Sequence, residues 1–454
     1  MNSSKLKTAL AITIAAFMTV STAACGQSGT SDNKGTQSQS TNAPIKTDDS
    51  KKALTIAYLT STTKFKDVEK DMAEQLKADE NITVEFQIVP DDQYVTLVKS
   101  KLASGEVPDV LDYNFPTQNS SDLGASKNME DLSNEPWVSR LNNAKLVKDP
   151  DDGKIYALPR ESSSFFGACY YNKKVLKSVG IEDPQPKTYK DFLDILETIK
   201  TKGNGVVPFY ASNKDSWTTQ IFMTLGVPIA LSPNDQAVWD KLLANEMKWS
   251  DIPEFKEILN DYHDLYKKGY VNKDNLSATY DMAKEAVATG KAAMMLNGEW
   301  AATDIMSKWP DAELGAFIIP FKDKLMIGTG AYVQGIFVPK NGKQVENAKK
   351  FVNLWSQPKY QNMFWEKNAG FPGFTDVDGG DVLPYIKALV DTYITTGQYC
   401  YQINDPMGAA SGSFGDLWNY YIEMVAGSST PDNVLQKFDK KYSDFMKQKN
   451  QPGF

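Results

Sequence analysis

Two rhythms of apolar residues alternate along the chain once order begins at Leu54. LTIAYL (Leu54 to Leu59) is a short apolar run of strand length, and Phe65, Val68, Met72 and Leu76 then recur at helical spacing. In ITVEFQIV the residues Ile82, Val84, Phe86 and Ile88 alternate with polar ones, which predicts a strand; Val95, Val98 and Leu102 predict another helix. VPDVLDYN supplies a third strand, ending at Asp112, Tyr113 and Asn114. Strands alternating with helices at this spacing predict a parallel, doubly wound α/β sheet, whose site lies beyond the carboxyl ends of its strands.

A second unit opens near CYYNKKVLKSVGI. It continues with PKTYKDFLDILETIK, where Thr188 and Asp191 form a capping-box start and Phe192, Ile195, Leu196 and Ile199 face inward. Between the units, DGKIYALPRESSSFFGACYYN reads as an extended crossing whose polar run from Arg160 to Ser164 interrupts two apolar ones. Within that run Glu161 and Ser163 are candidate hydrogen-bonding groups, an exposed turn being the other reading. The overall expectation is two α/β lobes, with no solenoid or propeller repeat.

GKAAMMLNGEW (Gly290 to Trp300) carries the sharpest local question. An apolar run ends with Glu299 beside Trp300, so the ring either fills a core or stands at a cleft edge. Asn297 to Trp300 would form the turn from a strand into a helix, where free N–H groups and the Glu299 carboxylate can meet hydroxyls. Trp239, Trp249, Trp309, Trp355 and Trp365 sit inside amphipathic runs and are assigned to packing. The glycine-rich GTGAYVQG lacks the Lys-Ser/Thr of a phosphate loop; a tight loop placing Gly330 and Tyr332 at a cleft and a plain strand connection both fit it.

Composition narrows the chemistry. In 454 residues with a net charge of −8 there is no basic stripe to neutralise phosphates, so no nucleic-acid partner is expected. The single histidine, His263, lies on a helix with Phe255, Ile258, Leu259, Tyr262, Leu265 and Tyr266 as its apolar stripe, which argues against histidine triads and multi-histidine metal sites. DPDDGK and NKDN lack the spacing of calcium loops. No metal and no cofactor is expected. Cys169 and Cys400 could form one pair or remain two buried thiols.

The N-terminus reads as an export signal: Lys5 and Lys7, an apolar run from Ala9 to Val20, then STAAC ending at Cys25. The run is too short for a comfortable membrane span. The small residues before Cys25 resemble a bacterial lipobox, which would make residues 1–25 a lipoprotein signal and Cys25 the lipidated residue. Thr22 stands where leucine is usual, and ordinary signal cleavage nearby is the alternative. Residues 26–52, rich in Ser, Thr, Gly, Asn and Gln, read as a flexible tether of roughly 30 Å root-mean-square reach.

Five pieces together resemble the extracellular solute-binding proteins of ABC transporters, family 1, the group that includes maltose-binding protein. They are LASGEVPDVLDYN; DGKIYALP with YYNKKVLKSVGI; PKTYKDFLDIL; GKAAMMLNGEW; and VPKNGKQVENAKKFVNLWSQPKYQ followed by MVAGSSTPDNVLQKF. The resemblance implies a two-lobe periplasmic-binding-protein-like fold joined by crossing hinge segments, with lobe 1 at 53–165 and 335–378 and lobe 2 at 166–334 and 379–454. It implies a carbohydrate ligand held between closing lobes, permease subunits of an ABC importer as partners, a membrane reached through the N-terminal lipid, a monomer, and no catalysis.

Trp300 falls where relatives with NG(P/E)W place an aromatic ring against a sugar face. Phe414 falls near another stacking aromatic, Trp418 one turn later competes for that role, and Trp217 lies in the region of a third. Tyr113 matches the aromatic after the PDV strand, with Asp112 and Asn114 beside it. A charged residue often found just beyond that strand is replaced by Phe115-Pro116. Several aromatics and scarce arginine favour a neutral oligosaccharide over an anion. The competing readings are an exported carbohydrate-active enzyme, with Glu161 and Glu299 imaginable as its carboxylate pair, and a glycan-binding surface protein unconnected to transport.

Overall fold

The strand-helix alternation from Leu54 to Pro116 is realised almost element by element. The structure, a computed structural model, describes residues 52–116, 123–142, 144–149, 151–160, 165, 167–231, 236–330 and 332–454. Cys25, the tether, Glu161 and Ser163 lie outside the described residues. Strands β1 (Leu54–Ser61), β2 (Ile82–Val89) and β3 (Val110–Pro116) alternate with helices Val68–Glu80 and Asp91–Ser104. Strand β2 pairs parallel to β1, and β1 parallel to β3.

The sheet is completed differently from the parallel expectation. Strand β10 (Tyr332–Phe337) runs antiparallel to β3, and β4 (Ala157–Pro159) antiparallel to β10, giving the order β2-β1-β3-β10-β4. Because β10 arrives from the other half of the molecule rather than through a crossover helix, no right-handed βαβ connection dictates its direction. Its residues Ile336 and Phe337 join a core with Ile56, Tyr58, Leu111, Phe351 and Trp355.

The second sheet has the order β6-β7-β5-β8, from β5 (Ala168–Asn172), β6 (Val207–Phe209), β7 (Ala292–Asn297) and β8 (Leu314–Phe317). Every residue of β5 and β7 is buried, as expected of strands covered on both faces. The two-residue alternation sends Cys169 and Tyr171 into one core and Ala168 and Tyr170 into another. A two-stranded ribbon of β9 (Ile327–Thr329) and β11 (Tyr399–Tyr401) flanks this half. The expected capping box is present: Thr188 accepts from the Asp191 N–H, and Asp191 accepts from the Thr188 N–H. Helix Pro253–Lys267 buries Phe255, Ile258, Leu259, Tyr262 and Leu265, leaving His263 at the boundary.

The chain passes from the first sheet to the second between β4 and β5 and back between β9 and β10. Strand β10 already begins at Tyr332, so a boundary at 335 falls inside it. Cys169 and Cys400 are both buried free thiols. Burial pushes both up, that of Cys400 to about 12.

Candidate functional site

A cavity of about 690 Å³ lies between the two halves, inside the range of small-ligand pockets. The loop after β1 and the Tyr113–Asn114 stretch of β3 contribute to one wall, and the turn after β7 with the Ser216–Thr219 turn and the helix Leu417–Val425 to the other. This is the carboxyl-end placement expected of open α/β sheets.

The turn after β7 is built for a flat ring. Asn297 is buried, and its Oδ1 accepts from the Gly298 N–H at 2.9 Å. A Cβ on Gly298 would stand 2.1 Å from Cζ3 of Trp300, so the indole can lie across this position only because glycine occupies it. Trp300 opens the helix Trp300–Lys308 and is half-buried. Trp217 stands with its ring centroid 6.5 Å from that of Trp300, braced edge-on by Tyr280 at 5.2 Å. Glu299 accepts from the Phe165 N–H at 3.3 Å, tying the turn to the crossing segment. Half-buried Trp418 lines the same cavity.

The opposite wall rests on charge. Arg160, 7% exposed, donates to Glu69 at 2.9 Å, to Asp112 at 3.4 Å, to Gln334 at 3.1 Å and to the carbonyl of Lys64 at 2.7 Å, while its guanidinium lies 5.1 Å over the Phe364 ring. One side chain thereby joins the end of β4, β10 and the helix Val68–Glu80 to the β1 loop. Burial, opposed by Arg160 and reinforced by Asp112, pushes the Glu69 carboxyl up to about 7. Lys64 donates to Asn114 at 2.7 Å. At the mouth, burial and then the nearby Asp91, Asp281 and Asp92 raise Asp215 above the usual carboxylate range, against the Tyr280 N–H that it accepts.

Six of the residues expected from the sequence therefore surround one cavity: Trp300, Glu299, Trp217, Trp418, Tyr113 and Asn114. Phe414, Asp112 and Gly330 are placed elsewhere, and of Tyr332 the backbone pairing is described. Phe414, 5% exposed, packs against Trp249 and Phe438, each at 5.5 Å, and belongs to the core. Asp112 is 1% exposed and accepts from Thr60 and Arg160 behind the wall. Gly330 packs against the 402–405 turn, where a Cβ would meet Asp405 Oδ2 at 2.0 Å. Tyr332 pairs with Pro116 in β10. Trp365, assigned to packing from its helical pattern, is mostly buried but lines the cavity beside Phe364. Arg160 stood out as a scarce arginine without a role; nothing in its own neighbourhood announces Glu69 and Asp112, which are 91 and 48 residues away.

A cavity framed by two α/β halves, between which the chain passes and returns, defines a two-lobe binding protein. The chain belongs to the bacterial extracellular solute-binding protein family, whose sequence model matches residues 60–362. It is similar to the multiple sugar-binding protein of Streptococcus mutans serotype c, at 28% identity over 66% of this chain and 68% of that one. It is also similar to lipoprotein LipO of Bacillus subtilis, at 26% over 62% of this chain and 59% of the relative. In fold it matches a sugar transporter from Bacillus licheniformis in complex with stachyose: 24% identity, TM-score 0.69, 86% of this chain and all of that one. Among the described residues no helix is long and apolar enough to cross a membrane.

Proposed function

We propose that this chain is the substrate-binding component of an ABC importer, taking up a neutral oligosaccharide by lobe closure and presenting it to permease subunits. The observation that carries the proposal is the group of partly buried indoles, Trp300, Trp217 and Trp418, around a cavity whose opposite wall carries amide and guanidinium groups. A pyranose offers C–H groups on its faces and hydroxyls round its rim, which rings and planar donors match together. In this reading Trp300, Trp217 and Trp418 stack on sugar, and Glu299 and Asn114 exchange hydrogen bonds with hydroxyls. The lobes are residues 53–165 with 332–378, and 166–330 with 379–454, the return boundary moved from 335 to the start of β10. The sugar-binding name of the streptococcal relative and the stachyose complex of the structural neighbour support the ligand class.

The chain binds without turnover, acts as a monomer, and is held to the outer face of the membrane through a lipid on Cys25, a reading supported by the relative named as a lipoprotein. A thermal-shift screen tests the ligand class. Neutral oligosaccharides, stachyose among them, are expected to raise the midpoint, since a ligand at about 100 times its Kd adds about 2.7 kcal/mol of stability. A response confined to anionic sugars or amino acids overturns the class, and release of shorter sugars during incubation overturns the non-catalytic reading. Mass spectrometry of membrane-extracted protein should find a diacylglyceryl cysteine at position 25.

A further inference from the structure

Apart from the rings, a line of polar groups crosses the cleft from one lobe to the other. Lys66, in the loop after β1, places its Nζ 2.5 Å from Oδ1 of Asp304 on the helix that begins at Trp300. Neither partner is loose: their side chains are 21% and 10% exposed. One residue earlier on the same helix, Thr303 donates to the carbonyl of Ala369 at 3.1 Å, a second bridge to the opposite lobe.

Both ends of the ion pair are held from behind. The Lys66 N–H donates to Glu69 Oε2 at 2.9 Å, the other Glu69 oxygen accepts from Arg160, and Arg160 donates to the Lys64 carbonyl, so the loop is gripped at two peptide groups. On the far side the Tyr280 hydroxyl donates to Asp304 Oδ2 at 3.1 Å, and Lys284 stands 3.8 Å from the same oxygen. That leaves Oδ1 directed at Lys66. Two oriented charges lose less side-chain freedom on meeting than two mobile ones, which is the condition under which an ion pair contributes more than a surface pair does.

We propose that Lys66 and Asp304 form an interlobe latch that sets how much of the ligand-free protein is closed. The proposal rests on the lobe closure put forward above but requires no particular sugar. Trp300 and Asp304 are four residues apart and share a helix face, so the element that carries the stacking ring also carries the latch. Apparent affinity falls with the fraction of molecules that are binding-competent. The latch therefore tunes affinity without needing to touch the ligand.

The test reads the free protein. Spin labels at Ile88→Cys and Met282→Cys occupy exposed positions on opposite lobes; the native thiols at 169 and 400 are buried from the reagent, and Cys25→Ser removes the third. Pulsed electron-resonance distances should show Lys66→Met lowering the closed-to-open ratio about tenfold, equivalent to 1.4 kcal/mol. Asp304→Asn should do the same, and the double variant should go no further than either single one. Far-ultraviolet dichroism of each variant checks that it is folded. An unchanged distance distribution in both folded single variants, or additive effects in the double, overturns the latch. Sugar binding that persists with unchanged distances would remove the latch and leave the proposed function standing.

Discussion

Two clusters of aromatic rings in the second lobe use the same residue types to opposite ends. Around Trp249, which is fully buried, Phe255, Phe414, Phe438 and Tyr442 pack with centroids 5.0 to 6.4 Å apart. Around Trp300, the rings of Trp217 and Tyr280 pack at similar distances, yet Trp300 and Trp217 keep part of their faces on the cavity. Ring type and spacing do not separate core from site. What separates them is where the elements beneath them lie: the first cluster is closed between helices Pro253–Lys267 and Pro431–Gln448 and the 3-10 segments that carry Trp249 and Phe414, and the second stands at the cavity, on the turn at the end of a strand and on the Ser216–Thr219 turn.

Removing a ring from each cluster should therefore give opposite pairs of measurements. Trp249→Ala leaves a cavity among four rings and is expected to cost about 3 to 5 kcal/mol of stability, with sugar affinity unchanged in the folded fraction. Phe414→Ala should behave likewise. Trp300→Ala should cost under about 1.5 kcal/mol of stability but weaken sugar binding by about 2 to 4 kcal/mol, the range of a central hot-spot aromatic. Denaturant midpoints and calorimetric affinities on the same proteins decide the matter. A large stability loss with unchanged affinity for Trp300→Ala would falsify the division into core and site.

How much of this was legible depends on how local the cause is. The β1-to-β3 alternation, the Thr188 capping box and the stripe of helix Pro253–Lys267 arise within about twenty residues, and all are read from spacing alone. Phe414 shows a subtler failure. Counting back along the helix predicted to end at Gly427 by the α-helical period puts Phe414 on the same face as its competitor Trp418, because four residues at 3.6 per turn return about 40° past the start. The segment Gly408–Asp416 is instead a tighter 3-10 helix, so the face rotates before the α-helix begins at Leu417 and Phe414 turns into the core. Trp365 failed for another reason: it lies on a pattern that is correctly read as packed, and only the approach of distant segments opens one side of it to the cavity. Arg160 heads a polar run, and its burial comes from partners 91 and 48 residues away. The antiparallel entry of β10 into the first sheet is likewise fixed by where the chain returns, which no local period encodes.

The smallest expected effect gives the finest comparison, because it adds a single methyl to the core in one variant and to the site in the other. In the core, a Cβ on Gly226 would stand 2.7 Å from Cγ2 of Ile258 and 3.1 Å from the Phe321 ring. Gly226 lies in helix Gln220–Ala230, so alanine gains about 0.5 to 1 kcal/mol of helical preference, while overpacking a closed core costs about 1 to 3 kcal/mol. The expected net is a stability loss of about 1 kcal/mol or somewhat more with affinity intact. At the site, the three atoms nearest a Cβ on Gly298 all belong to the Trp300 ring, and that ring has the cavity to move into. Gly298→Ala should therefore leave the denaturant midpoint nearly in place and weaken sugar binding about fivefold, close to 1 kcal/mol, by displacing a platform that is still present. If Gly298→Ala destabilised the fold as Gly226→Ala does, Trp300 would be as confined as Trp249, and the two clusters would differ in exposure alone.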